Sequence, residues 1–429
     1  MEILIRSALI VDTGSAFNNQ VKDILVSNGK IKKIGSRLQN TTKAKEIKED
    51  NLHVSIGWFD LNTFLGDPGF EQKETIETGC KAAAAGGFTH ICCMPNTLPV
   101  IQTKAQVEYV LGKSASQLVS VHPLGAITHD TAGGDLADMY DLHMAGAIAF
   151  TDGLKPSPPA GVVERALLYV KAFDGLIMVH SEDKSISKNG VMHEGIVSTK
   201  LGLPGAPALA EEIAVNRDLF VLEYTGSKLH LLNVSLKKSV DLIRAAKKKK
   251  LQITASVNAY NLLLDNSAVG DYNTHCKVNP PLRLKEDIAA LVKGINDGTI
   301  DSISSAHQPQ DEDCKNLEFD KADFGMIGLE TCFAVINTAL QAETKIGKIV
   351  ELMAHNPRKI LGLQLPKIEV GADADLTLFN PSIEVQTGNN MLDWTSISLI
   401  ELTDLTWSSR SIPIGVDNPI DIATVKLKQ

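Results

Sequence analysis

Paired cysteines, long apolar runs and a surplus of positive charge are all missing from this chain, and each absence removes a class of function. Forty-two basic residues stand against fifty-one acidic ones, a formal net charge of -9. Nucleic acids and anionic membranes attract basic surfaces, so neither is expected as a partner. No segment reaches eighteen consecutive apolar residues. The opening MEILIRSALIVDTG has no basic stretch leading into an apolar run and a small-residue cleavage site, so cytoplasmic residence is expected. Six cysteines (Cys80, Cys92, Cys93, Cys276, Cys314, Cys332) form no C-x-x-C pair, and the adjacent two face opposite ways in an extended run, so no disulfide framework follows.

Local catalytic motifs are missing as well. The eleven histidines include no H-x-H, H-x-x-H, H-x-x-x-H or H-E-x-x-H, and there is no G-x-S-x-G, Walker-type or G-x-G-x-x-G segment. Any site must be assembled from groups far apart in sequence.

What the chain does have is length and rhythm. With 44% hydrophobic residues over 429 positions it can bury a large core. The first fifty residues read as short strands, with Asn28-Gly29 between apolar runs as a hairpin signal. From residue 58 to about 365, apolar runs of strand length alternate with segments of helical period. Strands are expected near Trp58, Phe88, Ser120, Ala147, Leu176, Leu229, Leu251 and Asp301, and helices over 74–86, 162–174, 207–223, 236–250 and 285–297. Eight such units predict an α/β fold, a (β/α)8 TIM-type barrel over 56–364. The N- and C-terminal segments, 1–55 and 365–429, are expected to form a small β-sandwich beside it.

A barrel of this kind carries its site at the C-terminal ends of its strands. Those ends hold Asn62 and Phe64, MPNT (94–97), TDG (151–153), HSED (180–183), NVS (233–235), NAYN (258–261) and AHQPQ (306–310), a set rich in carboxamides. Asp152, His180 and His307 are the polar residues whose convergence makes a pocket plausible.

These stretches, with DLNTFLGDPGFEQKETIETGCKAAAAGGFTHICCMPNTLP (60–99), HEGIVSTKLGLPGAPALAEEIAVNRD (193–218), KVNPPLR (277–283), GMIGLET (325–331) and NPRKILGL (356–363), resemble the dihydroorotases among the cyclic amidohydrolases. The resemblance implies interconversion of carbamoyl aspartate and dihydroorotate by one or two zinc ions at the barrel mouth. Carried over residue by residue, it breaks at the metal. The family's D-x-H-x-H falls on Asp60, Asn62 and Phe64, and its sixth-strand ligand falls on Asn233, three residues after a surviving His230. Asp152 and His180 are retained at ligand positions, while the proton-accepting acid of strand eight is Ala306. An arginine expected to clamp a carboxylate is Gly66, and the last histidine of strand eight is Gln310. Substrate-facing positions on this reading are Gly66, Asn96, Asn279, His307 and Gln310.

Magnitudes favour silence. A zinc-bound water ionises near pH 7 rather than 15.7, worth roughly 12 kcal/mol in forming the nucleophile, whereas a general base alone supplies about 3–5 kcal/mol. Two retained donors fall short of the three that catalytic zinc takes. No cofactor and no catalytic residue are therefore expected, and the resemblance implies an inactive pyrimidine-biosynthesis homologue acting as a scaffold or regulatory partner, with aspartate transcarbamoylase as first candidate partner and a homodimer as the common assembly. Two alternatives stand beside it: an active dihydroorotase or related cyclic-amide hydrolase with an atypical zinc site, and a sensor whose carboxamides bind a planar cyclic amide without cleaving it.

Overall fold

A computed structural model describes residues 2–382 and the backbone of residues 423–425. The N-terminal segment forms β1 (Glu2–Ile10), β2 (Val21–Ser27), β3 (Lys30–Gly35), β4 (Lys45–Ile47) and β5 (His53–Ile56). Asn28 and Gly29, at φ +50° and +73°, make the tight turn between β2 and β3, a conformation open to asparagine and glycine and costly to most other residues.

The barrel follows with β6 (Trp58–Thr63), β7 (Phe88–Cys93), β8 (Ser120–Pro123) and β9 (Ile177–His180). A two-residue ribbon, β10 (Met192–His193) with β11 (Gly205–Ala206), interrupts the series before β12 (Leu229–Leu232), β13 (Ile253–Asn258) and β14 (Ser302–Ser304). All neighbouring pairs in the barrel are parallel. The strand expected near Ala147 is reduced to single bridges from Phe150 to Gly125 and to Ile177. It is still a stave, because Phe150 donates to Leu176 O and accepts from Met178 N. A Thr63–His307 bridge closes the ring.

Helices lie where the periodicity puts them, at Ile76–Ala85, Ala160–Lys171, Leu209–Thr225, Lys237–Lys248 and Lys285–Asn296. Thr75 caps the first by accepting from Thr78 N, and Gly226 ends the third at φ +59°.

Two late strands, β15 (Leu376–Phe379) and β16 (Ala423–Val425), return to the N-terminal unit. The sheet runs β16-β15-β5-β1-β2-β3 with β4 beside β1, so the two ends of the chain share one seven-stranded sheet. The remainder of the expected C-terminal β structure, 411–422 and 426–429, lies outside the described residues. Trp58 joins the two units. Its ring packs on Phe88, Phe333 and Phe379, and its Nε1 donates to Ser55 Oγ at 3.0 Å. Arg358 adds a polar tie through Gly57 O at 2.7 Å and Asp375 Oδ2 at 3.0 Å. With the floor fixed in this way, the opposite ends of the strands are left to build a mouth. Among the described residues no helix is long and apolar enough to cross a membrane.

Candidate functional site

The alternation of β6 sends Asp60, Asn62 and Phe64 to one side of the strand. Asp60, wholly buried, accepts from Thr63 Oγ1 at 2.6 Å, Ser305 N at 2.8 Å and Ser305 Oγ at 2.7 Å. It therefore ties β6 to the segment after β14. Burial pushes its carboxyl above the usual range, against the pull of those donors.

One turn of the side-chain pattern further on, Asn62 Nδ2 donates to Asn233 Oδ1 at 2.8 Å across the barrel. Two of the three positions where the resemblance asks for an imidazole ligand and the chain has none thus bind each other. Asn233 holds a left-handed backbone, φ +58°, and so does Ala306, φ +50°. Asparagine takes this region readily; alanine takes it at a cost of about 1–2 kcal/mol.

The retained donors are also committed or isolated. Asp152 Oδ1 accepts from Ile127 N at 2.9 Å and Thr128 N at 3.0 Å, and its Oδ2 accepts from Thr128 Oγ1 at 2.6 Å. Burial raises its pKa while these donors resist. The His180 ring is buried with neither nitrogen hydrogen-bonded, and its nearest opposite charge is Glu182 Oε2, 3.4 Å from Nε2. His230 is fully buried between Thr254 Oγ1 (2.8 Å) and Ser256 Oγ (3.1 Å), and burial, with Lys247 adding to it, depresses its pKa to about 3. Among the described residues no group of three or more His, Cys, Asp or Glu side chains is placed to hold a metal ion. The donors present do not fit the zinc site that the fold family implies: two neutral amides bonded to each other, a carboxylate already accepting three hydrogen bonds and one imidazole fall short of three ordinary zinc ligands.

Above this layer opens a cavity of about 420 Å³. Phe64, Phe70 and Phe324 give it aromatic walls; Asn96, Asn279 and Gln310 give it amide groups; Lys73 and Lys155 stand at its edge. Of the substrate-facing positions read from the sequence, Gly66, Asn96, Asn279 and Gln310 line it. His307 is a correction. It does not line the cavity, because its Nδ1 accepts from Gly328 N at 3.2 Å and Leu329 N at 3.4 Å while its Nε2 faces Glu74 Oε2 at 3.3 Å. His180 lines a separate hollow with Ser181 and Glu182, and neither Asp152 nor His307 lines that hollow or the cavity.

Gly66 has its own logic. At φ +66°, a Cβ there would lie 2.7 Å from Phe70 O and 2.9 Å from Glu74 O. The loop is built around a glycine, and an arginine does not fit it as it stands. Asn96 donates to Asp152 O at 3.1 Å, and its amide fills the space that a Cβ on Gly153 would need. Gln310 accepts from Lys73 Nζ at 2.6 Å and donates to Phe324 O at 2.7 Å. Lys73, which also pairs with Asp323 at 3.0 Å, escapes a strand-end scan since it lies on the loop leading to the first helix. Glu182 accepts from Asn279 Nδ2 at 3.2 Å; it lies within the strand-end stretch HSED, but its tie to Asn279 joins residues 97 positions apart.

Similarity to known proteins adds to this geometry. The model of the family described as Dihydro-orotase-like matches residues 53–239. The dihydroorotase of Pelotomaculum thermopropionicum is 43% identical over 386 residues, spanning 89% of this chain and 90% of that protein. The dihydroorotase of Caldanaerobacter subterraneus subsp. tengcongensis is 43% identical over 389 residues, 90% of this chain and 89% of that protein. Among solved structures, the L-hydantoinase (dihydropyrimidinase) from Arthrobacter aurescens superposes with a TM-score of 0.75 at 22% identity, covering 88% of this chain and 86% of that one. The dihydropyrimidinase from Brevibacillus agri NCHU1002 gives 0.75 at 21%, covering 89% and 87%. At that identity these two share the fold.

Proposed function

The chain belongs to the dihydroorotase family, and from that premise we propose that it serves pyrimidine biosynthesis in the cytoplasm as a member that no longer interconverts carbamoyl aspartate and dihydroorotate. It is kept as a scaffold or regulatory partner, and aspartate transcarbamoylase is the first partner to test. One observation carries the reading: the 2.8 Å bond between Asn62 and Asn233. Ring opening in such a site needs a gripped cation, a hydroxide made at it, and a base for the proton. Asn62 and Asn233 are neutral amides joined by one hydrogen bond, Phe64 presents a ring to the cavity, and Ala306 offers a methyl group in place of a base.

The test is zinc content by elemental analysis together with dihydroorotase assays in both directions on the purified full chain. Well under one equivalent of zinc and no turnover are expected; stoichiometric zinc with turnover would overturn the reading. Partnership is read by sedimentation of the chain mixed with aspartate transcarbamoylase, where a co-sedimenting complex is expected.

A second reading rests on the cavity itself. Three phenylalanine rings beside the amides of Asn96 and Asn279 suit a flat cyclic amide held without cleavage. Thermal shifts with orotate, dihydroorotate and carbamoyl aspartate test it, because a ligand of the folded state raises melting temperature with concentration and a pure scaffold gives no rise.

A further inference from the structure

The hollow that His180 lines measures about 150 Å³ and is divided from the main cavity by Asn279 and Phe324, which line both. It lies between the end of β9, the short helix Lys184–Ser187 and the turn at Pro280 and Pro281. His180 is its floor. The residue is 4% exposed, and neither ring nitrogen has a hydrogen-bond partner. A neutral imidazole needs one acceptor for its N–H and one donor for its other nitrogen, and leaving both unmet in a buried site costs free energy. A ring in this state asks for a ligand that offers both functions.

The charges around the ring have the same two-sided character. The Glu182 carboxylate lines the hollow, with Oε2 3.4 Å from His180 Nε2 and accepting one bond from Asn279 Nδ2 at 3.2 Å. Arg283 lines it with the opposite sign. Buried, it donates to Ser235 Oγ, His193 Nδ1 and Glu211 Oε2. Those are three of the five N–H groups of a guanidinium, so two are left without an acceptor among the described residues. Lys184 and Lys188, both exposed, line the same hollow and make no ion pair among the described residues. A simple anion entering here would be repelled by Glu182, and a simple amine by Arg283 and the two lysines. A molecule carrying both charges a few bonds apart suits both sides. Its ammonium can donate to Glu182 Oε2 and His180 Nε2 together, since only 3.4 Å separates them, while its carboxylate accepts from the cationic side. At about 30 Å³ per water the hollow has room for roughly five waters, the scale of a small α-amino acid and too little for a nucleotide or a peptide.

We propose that this hollow is a binding site for a small α-amino acid, with the ammonium held by Glu182 and His180 and the carboxylate by Arg283, Lys184 and Lys188. Asn62, Asp152, Asn233 and Ala306 take no part in its lining, so the proposal does not rest on whether the mouth is catalytically silent.

Isothermal titration calorimetry of the full chain tests it, with glycine, L-alanine, propionate and ethylamine as probes. Propionate is L-alanine without its ammonium, and ethylamine is L-alanine without its carboxylate. Glycine or L-alanine is expected to bind with a dissociation constant below ~1 mM. Propionate and ethylamine should each bind about 10- to 100-fold more weakly than the amino acid, having lost one set of charge-assisted bonds. In Glu182→Gln the preference for the amino acid over propionate is expected to vanish while the preference over ethylamine remains. Lys184→Gln combined with Lys188→Gln should weaken the amino acid and leave ethylamine unchanged. These substitutions keep the buried Arg283–Glu211 pair, and the comparison of probes on the wild type stands without them. No binding of either amino acid at ~10 mM overturns the proposal. So does a wild type that takes propionate or ethylamine as tightly as the amino acid, or a Glu182→Gln variant that still prefers the amino acid to propionate.

Discussion

Removing the Asn62 side chain puts the amide bond across the mouth to the test. In Asn62→Ala the 2.8 Å hydrogen bond to Asn233 is lost and the Asn233 carbonyl is left buried without a donor. A net hydrogen bond is worth about 0.5–1.5 kcal/mol and a stranded buried polar group about 1–3 kcal/mol, so a loss of ~2–3 kcal/mol is expected. Unfolding entropy near 2.1 cal/mol/K per residue, taken over this chain, is about 0.9 kcal/mol/K, so that loss lowers the melting temperature by ~2–3 °C. The companion variant is Asn233→Gly, because glycine keeps the left-handed backbone at φ +58° while alanine would add strain. Combining the two should cost less than the sum of the singles by ~1–2 kcal/mol, the signature of a direct contact in a double-mutant cycle. Excess zinc completes the assay. If the two amides parted to coordinate it, zinc at a hundred times its dissociation constant would stabilise the wild type by ~2.7 kcal/mol, or ~3 °C. Additive singles, or a zinc-dependent rise in the wild type, would refute the bonded-amide account of the mouth.

Two further outcomes follow from buried groups elsewhere. Burial, with Arg283 contributing, depresses the His193 pKa to about 4, and burial with Lys247 takes His230 to about 3. Both lie below the ordinary unfolded value near 6.5. Their stabilising contribution is therefore present above pH ~6.5 and is lost as pH falls toward their folded values, at up to ~2.7 kcal/mol per pH unit for the pair. Melting curves from pH 7.5 to 4.5 should show that decline, and His230→Asn should roughly halve its slope. Arg283 forms a buried pair with Glu211 at 3.2 Å and donates to Ser235 Oγ at 2.9 Å and His193 Nδ1 at 3.1 Å. Arg283→Met, which leaves the buried glutamate with donors from Ser235 and Leu236 and no opposite charge, should cost about 3–5 kcal/mol, and adding Glu211→Gln should recover part of that in the same melts.

The frame was legible because it is written in local periodicity. Trp58, Phe88, Ser120, Leu229 and the five helices appear within a few residues of where apolar spacing puts them. The stave near Ala147 was visible as an apolar run, yet it survives only as the bridges of Phe150. Spacing reports that a segment is buried and extended; it does not report how many ladder bonds its neighbours' register permits. The pairing of β15 with β5 was anticipated as a union of chain ends. The order of that seven-stranded sheet was not, since it depends on contacts between residues more than three hundred positions apart.

At the mouth, identity and partnership part company. The sequence reveals which donors are gone, because a histidine replaced by asparagine is visible in any string of letters. It cannot reveal what the replacements do, because the bonds that decide it join residues 171 positions apart for Asn62 and Asn233 and 237 apart for Lys73 and Gln310. Asp152 makes the same point from the other side: it is the residue expected there, but Thr128 and Ile127 take up its oxygens, so retention of a carboxylate is not retention of a ligand. Gly66 and Ala306 extend it to the backbone. A Cβ at 66 would press on two carbonyl oxygens, and alanine at 306 holds a conformation that costs it energy. The loops around the mouth pair some side chains with one another, Asn62 with Asn233 and Lys73 with Gln310, while Asn62 Oδ1, Asn233 Nδ2, Asn96 Oδ1 and both His180 ring nitrogens are buried without a hydrogen bond. Satisfaction at the mouth is partial, and a polar ligand entering it would meet unpaired amide and imidazole atoms rather than a closed network.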